Sequence, residues 1–199
     1  MVVVRHGQTA WNAAGRFQGR SDEPLDDVGA VQAQAAARKL SRLGPHAVLT
    51  SDSTRARQTA DPLAVAAGLT PVPDPRLREV DIGAWEGLTR AEVQARFPEE
   101  YAGWRQGRDV RRGGGETLRE AGERAESAVR ERLQDGTLVV VTHAGTGTAL
   151  LGRMLRLAPE TWRSLAGLSH GRWSVLEEAS YGWRLEQHNV RPPRGFLAP

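Results

Sequence analysis

The sequence predicts an α/β fold of three layers, with helices on both faces of a mostly parallel central sheet and an antiparallel strand at its edge. Three observations lead there. Short apolar runs rich in β-branched residues recur at Val2–Val4, His46–Thr50 and Thr137–Thr142. Each is bounded by turn or polar residues, the pattern of strands buried on both faces. Helix-length segments alternate with them, as in parallel sheets. Near the end, "GRWSVLEE" and "GWRLEQHNV" flank a short Ala-Ser-Tyr-Gly turn and read as an antiparallel pair.

The helices can be justified in turn. Residues Ala30–Leu43, "AVQAQAAARKLSRL", are alanine-rich and are stopped by Gly44-Pro45. Ser53–Ala67 is a second helix, with Asp52 or Ser53 as its cap and Gly68 beyond its end. Glu116–Leu133 places Leu118, Ala121, Ala125, Val129 and Leu133 on one stripe with charges opposite. Ala144–Leu155 is a fourth. Phe97–Gly115 is polar, Gly-rich and aromatic; it breaks the alternation and is expected to form a lid or cap. Residues 1–190 are expected to form one domain without internal repeats. The stretch 191–199, "RPPRGFLAP", is expected to be a loose tail.

Composition narrows the function. The 199 residues suffice for a real core, and 39% hydrophobic with 26% charged residues is ordinary for a globular protein. The pI of about 10.1 is a weak nucleic-acid signal. It reflects arginine, which keeps its proton to high pH, in a chain of net charge only +3. No block of five like charges occurs, so a nucleic-acid partner is not expected. With no cysteine, disulfides, iron–sulfur clusters and thiolate zinc sites are excluded. The five histidines show no metal-ligand spacing, and neither a metal nor another cofactor is expected. No apolar stretch approaches the roughly 20 residues of a membrane span, and a strand starting beside Met1 leaves no room for a leader. The expectation is a cytoplasmic protein with no membrane partner, either monomer or homodimer.

The chemistry gathers where the strands end. Arg5 and His6 follow the first apolar run, "SDSTRARQTA" with Arg55 and Arg57 follows the second, and His143 follows the third. Ligands of open parallel sheets bind at the carboxyl ends of the strands. Two imidazoles and at least two forked guanidiniums there suit a phosphoryl group. A neutral imidazole is a competent nucleophile toward phosphorus, and neighbouring cations oppose its protonation. Gly7 permits close backbone approach and lets the following loop turn its amides inward. The leaving alkoxide then needs a proton. "RLREVDIGAWEG" offers Glu79, Asp81 and Glu86, and the chemistry alone does not choose among them.

Each residue also has a plainer reading. Alone, His6 reads as a strand-end histidine satisfied by backbone, and His143 as a neighbour of a helix cap. Arg55 in the first turn of a helix is unfavourably placed unless an anion sits there. Arg57 reads as structural or solvent-facing. Asn12 and Gln18 read equally as turn and loop hydrogen-bonders. Arg105, Arg108, Arg111 and Arg112 of the lid read as solvated cations first and as ligands for a second anion only after that. His46, His170 and His188 read as structural, with substrate contact a lesser option for His170. Trp104 is a candidate for the substrate mouth.

Taken together, "RHGQTAWN", "GRFQGRSDEPLDDVGAVQA", "TSDSTRARQTA", "LREVDIGAWEG" and "VVVTHAG" resemble, in order, the motifs of the histidine phosphatase superfamily, also called phosphoglycerate mutase-like. The resemblance covers residues 2–150 and weakens beyond. It implies the fold of that family, with His6 as a nucleophile that becomes phosphohistidine. It implies Arg5, Arg55 and His143 as the grip on the phosphoryl oxygens, with Asn12, Gln18 and the Gly19 backbone closing the pocket. Glu79 matches the family's proton donor, which leaves Asp81 and Glu86 as structural or supporting groups.

The expected function is metal-independent hydrolysis of a small phosphate monoester, a sugar phosphate or phosphoglycerate-type ester. The later stretches "LAPETWRSLAGLSHGRWSVLEE" and "YGWRLEQHN" resemble the actinobacterial glucosyl-3-phosphoglycerate phosphatases. Alpha-ribazole and broad-specificity sugar-phosphate phosphatases stay open. A cofactor-dependent phosphoglycerate mutase would use the same pocket, but such mutases carry a larger insertion between the positions of Glu79 and His143. A phospho-ligand binding module without catalysis is the other alternative; it would not need both a nucleophile and an acid.

Overall fold

The computed structural model describes residues 1–192. The order is β1 (Val2–Arg5), α1 (Ala10–Ala13), α2 (Asp27–Leu40), β2 (Pro45–Thr50), α3 (Thr54–Ala67) and β3 (Val72–Pro73). Then come α4 (Arg90–Arg96), α5 (Pro98–Arg105), α6 (Leu118–Arg130), β4 (Thr137–Thr142), α7 (Ala144–Met154), β5 (Trp173–Ala179) and β6 (Gly182–Val190). The sheet runs β3-β2-β4-β1-β5-β6. The pairs β1/β4, β2/β4 and β2/β3 are parallel, whereas β1/β5 and β5/β6 are antiparallel.

Alternation along the central strands explains the three layers. Val3, Leu49, Leu138 and Val140 face α6 and α7 through Ala125, Val129, Leu150 and Met154. Their neighbours Val2, Val4, Val48, Val139 and Val141 face α2 and α3 through Ala36, Leu40, Ala60 and Leu63. Side chains of period two therefore find a helix layer on either side, and each buried valine contributes about 1.5–3 kcal/mol by removal from water. The register Arg5↔Thr142 makes His6 and His143 the next residues of two adjacent strands.

Several boundaries differ from the sequence reading. α2 begins three residues earlier than Ala30, because the Asp26 side chain accepts from the Gly29 amide at 2.7 Å and caps it there. α6 begins after Thr117, whose hydroxyl and Glu120 form a reciprocal capping box. Ser53 stands at the cap position of α3 but makes no capping bond. Within the expected lid, α5 is helical, and α4 precedes it. Both surround Trp85, which is fully buried among Phe17, Phe97, Tyr101 and Trp104. β3 has only two residues. Most of the expected tail, from 193 onward, lies outside the described residues.

Candidate active site

Strand register builds the site before any side chain is considered. The His6 amide donates to the Thr142 carbonyl at 2.9 Å and the Ser51 amide to the Val141 carbonyl at 2.9 Å. The ends of β1, β4 and β2 thus deliver His6, His143 and Ser51 side by side. The rings of His6 and His143 lie 5.0 Å apart. Behind them, Gly7 packs so closely on Gly29 that a Cβ on Gly7 would come within 2.4 Å of the Gly29 carbonyl oxygen. Glycine at both positions lets the N-terminus of α2 press against the loop after β1.

His6 is 3% exposed, and its Nδ1 lies 2.6 Å from the Gly7 carbonyl oxygen. A carbonyl only accepts, so Nδ1 carries the proton and Nε2 the lone pair. Burial holds the imidazole well below 6.5, reinforced by His143, Arg5 and Arg55. His143 is likewise depressed by burial, then by Arg55 and Arg5. Both rings are neutral near pH 7.

Arg5 and Arg55 are anchored by their terminal nitrogens. Arg5 donates to the Leu168 carbonyl at 2.8 Å and to Nε2 of His170 at 2.6 Å. Arg55, 1% exposed, donates to the carbonyls of Ser21 at 2.6 Å and Gly19 at 2.8 Å. Burial lowers Arg5 to about 10, which leaves it cationic at neutral pH. Four buried nitrogens of the site have no hydrogen-bond partner among the described residues: Arg5 Nε, Arg55 Nε, His143 Nδ1 and Gln18 Nε2. Orphaned buried nitrogens are costly. Arg5 and Gln18 line the cavity over His6 and the His143 ring lies beside it, while Arg55 lines the neighbouring cavity at Glu79 and still acts on His6 through its charge; together they suit an acceptor with several oxygens.

A cavity of about 420 Å³ opens over His6 and is lined by Arg5, Asn12, Gln18 and Glu79. Among the described residues Glu79 is its only carboxylate, a choice the sequence chemistry alone did not resolve. Glu79 Oε1 accepts from the amides of Val80 at 2.9 Å and Thr146 at 3.0 Å, and Oε2 from Gly145 at 3.0 Å. Two amides of the first turn of α7 therefore fix the position of the carboxyl. Asp81 instead accepts from the Gly83 amide, and Glu86 Oε1 accepts from the amides of Gly19 and Ser21.

Not every expected residue meets the cavity in the expected way. The Gly19 amide is taken by Glu86 and its carbonyl by Arg55, so Gly19 anchors the arginine instead of offering its backbone to a ligand. Asn12 lines the cavity, but its amide group donates to Gln18 Oε1 at 3.1 Å. Among the four lid arginines only Arg112 lines the cavity; Arg105 and Arg108 are exposed and Arg111 pairs with Glu120. His170 acts through Arg5, and burial followed by that guanidinium lowers it to about 3.

Sequence reasoning missed three other wall residues, Arg16, Arg90 and Arg163. Arg163 lies over the ring of Trp104, 5.3 Å from its centroid. Ser51 was also missed; its Oγ is 2.9 Å from His143 Nε2. Only its position directly after an apolar strand gave a signal.

Fold and site together set a buried neutral imidazole and two anchored guanidiniums at the carboxyl ends of a mostly parallel sheet, the arrangement of an anion-binding α/β protein. A model of the histidine phosphatase superfamily (branch 1) matches residues 1–191, and the chain belongs to that superfamily. It is 33% identical to the glucosyl-3-phosphoglycerate phosphatase of Mycobacterium tuberculosis, over 96% of this chain and 94% of that protein. It is 35% identical to a probable phosphoglycerate mutase of Yersinia enterocolitica, over 94% and 90%. The structure of a mycobacterial glucosyl-3-phosphoglycerate phosphatase complexed with VO3 superposes with a TM-score of 0.91 at 34% identity, over 96% of this chain and 98% of that one.

Proposed function

We propose that this histidine phosphatase hydrolyses a small phosphate monoester through a phosphohistidine on His6, with no metal taking part. The observation that carries the reading is the free Nε2 lone pair of a buried neutral His6 beside four buried nitrogens without partners among the described residues. In the first step Nε2 bonds to phosphorus as the ester P–O bond breaks. Arg5, Arg55, His143 and Gln18 take the three equatorial oxygens, and Glu79 gives its proton to the leaving alkoxide. In the second step Glu79 takes a proton from water as the water oxygen attacks phosphorus. The P–N bond breaks and orthophosphate leaves.

The walls point to the substrate class. Arg16, Arg90, Arg112 and Arg163 stand on the cavity together with Trp104, Phe17 and Leu165. Those cations suit a second anionic group, and the rings suit a sugar face. A phosphorylated sugar acid or phosphoglycerate-type ester has both. This agrees with the relatives named as glucosyl-3-phosphoglycerate phosphatases.

The test is phosphate release in EDTA from a panel that includes glucosyl-3-phosphoglycerate, 3-phosphoglycerate and simple sugar phosphates, beside His6→Ala. Release spared by EDTA and abolished in the variant is expected. Isomerised phosphoglycerate without net hydrolysis moves the assignment to a mutase, and binding without turnover moves it to a phospho-ligand module.

A further inference from the structure

We propose that Arg124, on the charged face of α6, is a positioning residue for the proton donor Glu79. This rests on the hydrolytic reading above. The chain carrying Glu79 leaves a short 3-10 turn at Pro75–Leu77 and runs on to Ile82 without helix or strand. Its carbonyls therefore have no ladder to join, and buried carbonyls need partners. One guanidinium supplies three of them. Arg124 Nη1 donates to the carbonyls of Arg76 at 2.5 Å and Arg78 at 2.8 Å, and Nη2 to that of Glu79 at 3.1 Å. The hydroxyls of Thr142 and Thr146 complete the set, donating to Leu77 and Arg78 at 2.8 Å each.

Arg124 is itself held in a fork. Nε donates to Glu116 Oε1 at 3.0 Å and Nη2 to Oε2 at 2.9 Å, with both side chains about one-fifth exposed or less, at 17% and 20%. The same Glu116 accepts from the Asp81 amide at 3.0 Å and pairs with Arg20 at 3.0 Å. Its own amide donates to the Asp81 carbonyl at 2.8 Å. The backbone is thus gripped up to Glu79 by Arg124 and again at Asp81 by Glu116. Arg124 is not one of the residues lining the cavity; beyond a charge effect on His143, the least of those acting there and one that Arg124→Lys retains, it reaches the reaction through where Glu79 sits. Lysine keeps the charge but has no planar fork, and cannot reach three carbonyls and a carboxylate at once.

Displacing a proton donor penalises leaving groups that need the proton and spares those that do not. The experiment measures kcat/KM for an alkyl ester, glycerol phosphate, and for p-nitrophenyl phosphate, whose phenolate leaves unprotonated. Wild type, Glu79→Gln, Arg124→Gln and Arg124→Lys are compared by the alkyl-to-aryl ratio, which the folded fraction of a preparation does not alter. The expected result is a ratio lowered by about a hundredfold in Glu79→Gln and at least about tenfold in Arg124→Gln, with Arg124→Lys between Arg124→Gln and wild type. A normal ratio in Arg124→Gln beside a lowered one in Glu79→Gln overturns the positioning role alone. A normal ratio in Glu79→Gln removes Glu79 as the acid, and the positioning role with it.

Discussion

Nδ1 of His6 is tied to the carbonyl oxygen of the very next residue, Gly7, at 2.6 Å. The ring proposed as the nucleophile is thereby aligned by its own backbone, with Nε2 left free, and no carboxylate partner is needed to fix it. The Gly7 bond by itself favours protonation; burial and the neighbouring cations outweigh it and keep the imidazole neutral, at a cost in stability at low pH. His6 and His143 are both held well below 6.5, chiefly by burial. In the unfolded chain they bind protons below about pH 6.5, whereas in the folded chain they do not. Their contribution is therefore fully present above that value and is lost as pH falls toward the depressed folded values. The slope is up to about 1.4 kcal/mol per pH unit for each histidine. Urea midpoints at pH 7.5 and 5.5 are expected to drop less in His6→Asn than in wild type; equal drops would contradict this.

Ser51 Oγ lies 2.9 Å from His143 Nε2 and holds that edge of the ring, while Nδ1 is without a partner among the described residues. On the proposed reading Nδ1 carries a proton for a phosphoryl oxygen, which requires the Ser51 hydroxyl to donate to Nε2. Ser51→Ala removes that donor. Inhibition by orthophosphate is expected to weaken about tenfold, the worth of one good hydrogen bond to a charged group. Ring nitrogen shifts from NMR are expected to show the Nδ1–H pattern in wild type and to move toward Nε2–H in the variant. An Nε2–H pattern in wild type would overturn the donor role of Nδ1.

Arg112 is the lid arginine on the cavity, and burial lowers its pKa. Arg112→Ala is expected to raise KM about tenfold or more for esters bearing a carboxylate or second phosphate, and to affect p-nitrophenyl phosphate less. Arg105→Ala, exposed and outside the cavity, is the control. Equal effects on both substrates would remove Arg112 from substrate selection.

Gly29→Ala tests the contact behind the nucleophile. A Cβ there would lie 2.1 Å from the Gln8 carbonyl oxygen, so α2 must retreat from the loop after His6. A loss of about 1–3 kcal/mol in urea unfolding is expected, together with reduced turnover by the folded fraction. Wild-type stability would show that the loop yields without strain.

The central fold was legible because Val2–Val4 and Thr137–Thr142 are β-branched runs too short for helices and bounded by polar residues. The cap was less so. Phe97, Tyr101 and Trp104 have helical spacing, and Thr89 with Glu92 forms a capping box for α4, yet the surrounding glycines and arginines made 97–115 look irregular. β3 is too short to leave a pattern. In the site, strand ends exposed Arg5, His6, Arg55 and His143. Glu79 was one of three carboxylates until the family resemblance, and then the cavity, singled it out. Arg124 was illegible for a physical reason: it sits on a charged helix face, and its partners at residues 76–79 lie 45 to 48 positions away. Spacing within a helix does not report such contacts.

The most direct test of the account is to trap the covalent intermediate. The enzyme is mixed with a saturating phosphate ester in EDTA, quenched in alkali where a phosphohistidine survives, and mapped by mass spectrometry. The account predicts one phosphoryl group on His6, absent from His6→Ala, and reduced when hydrolysis outruns its formation. Undiminished turnover by His6→Ala, or a phosphoryl group found on another residue, would contradict it.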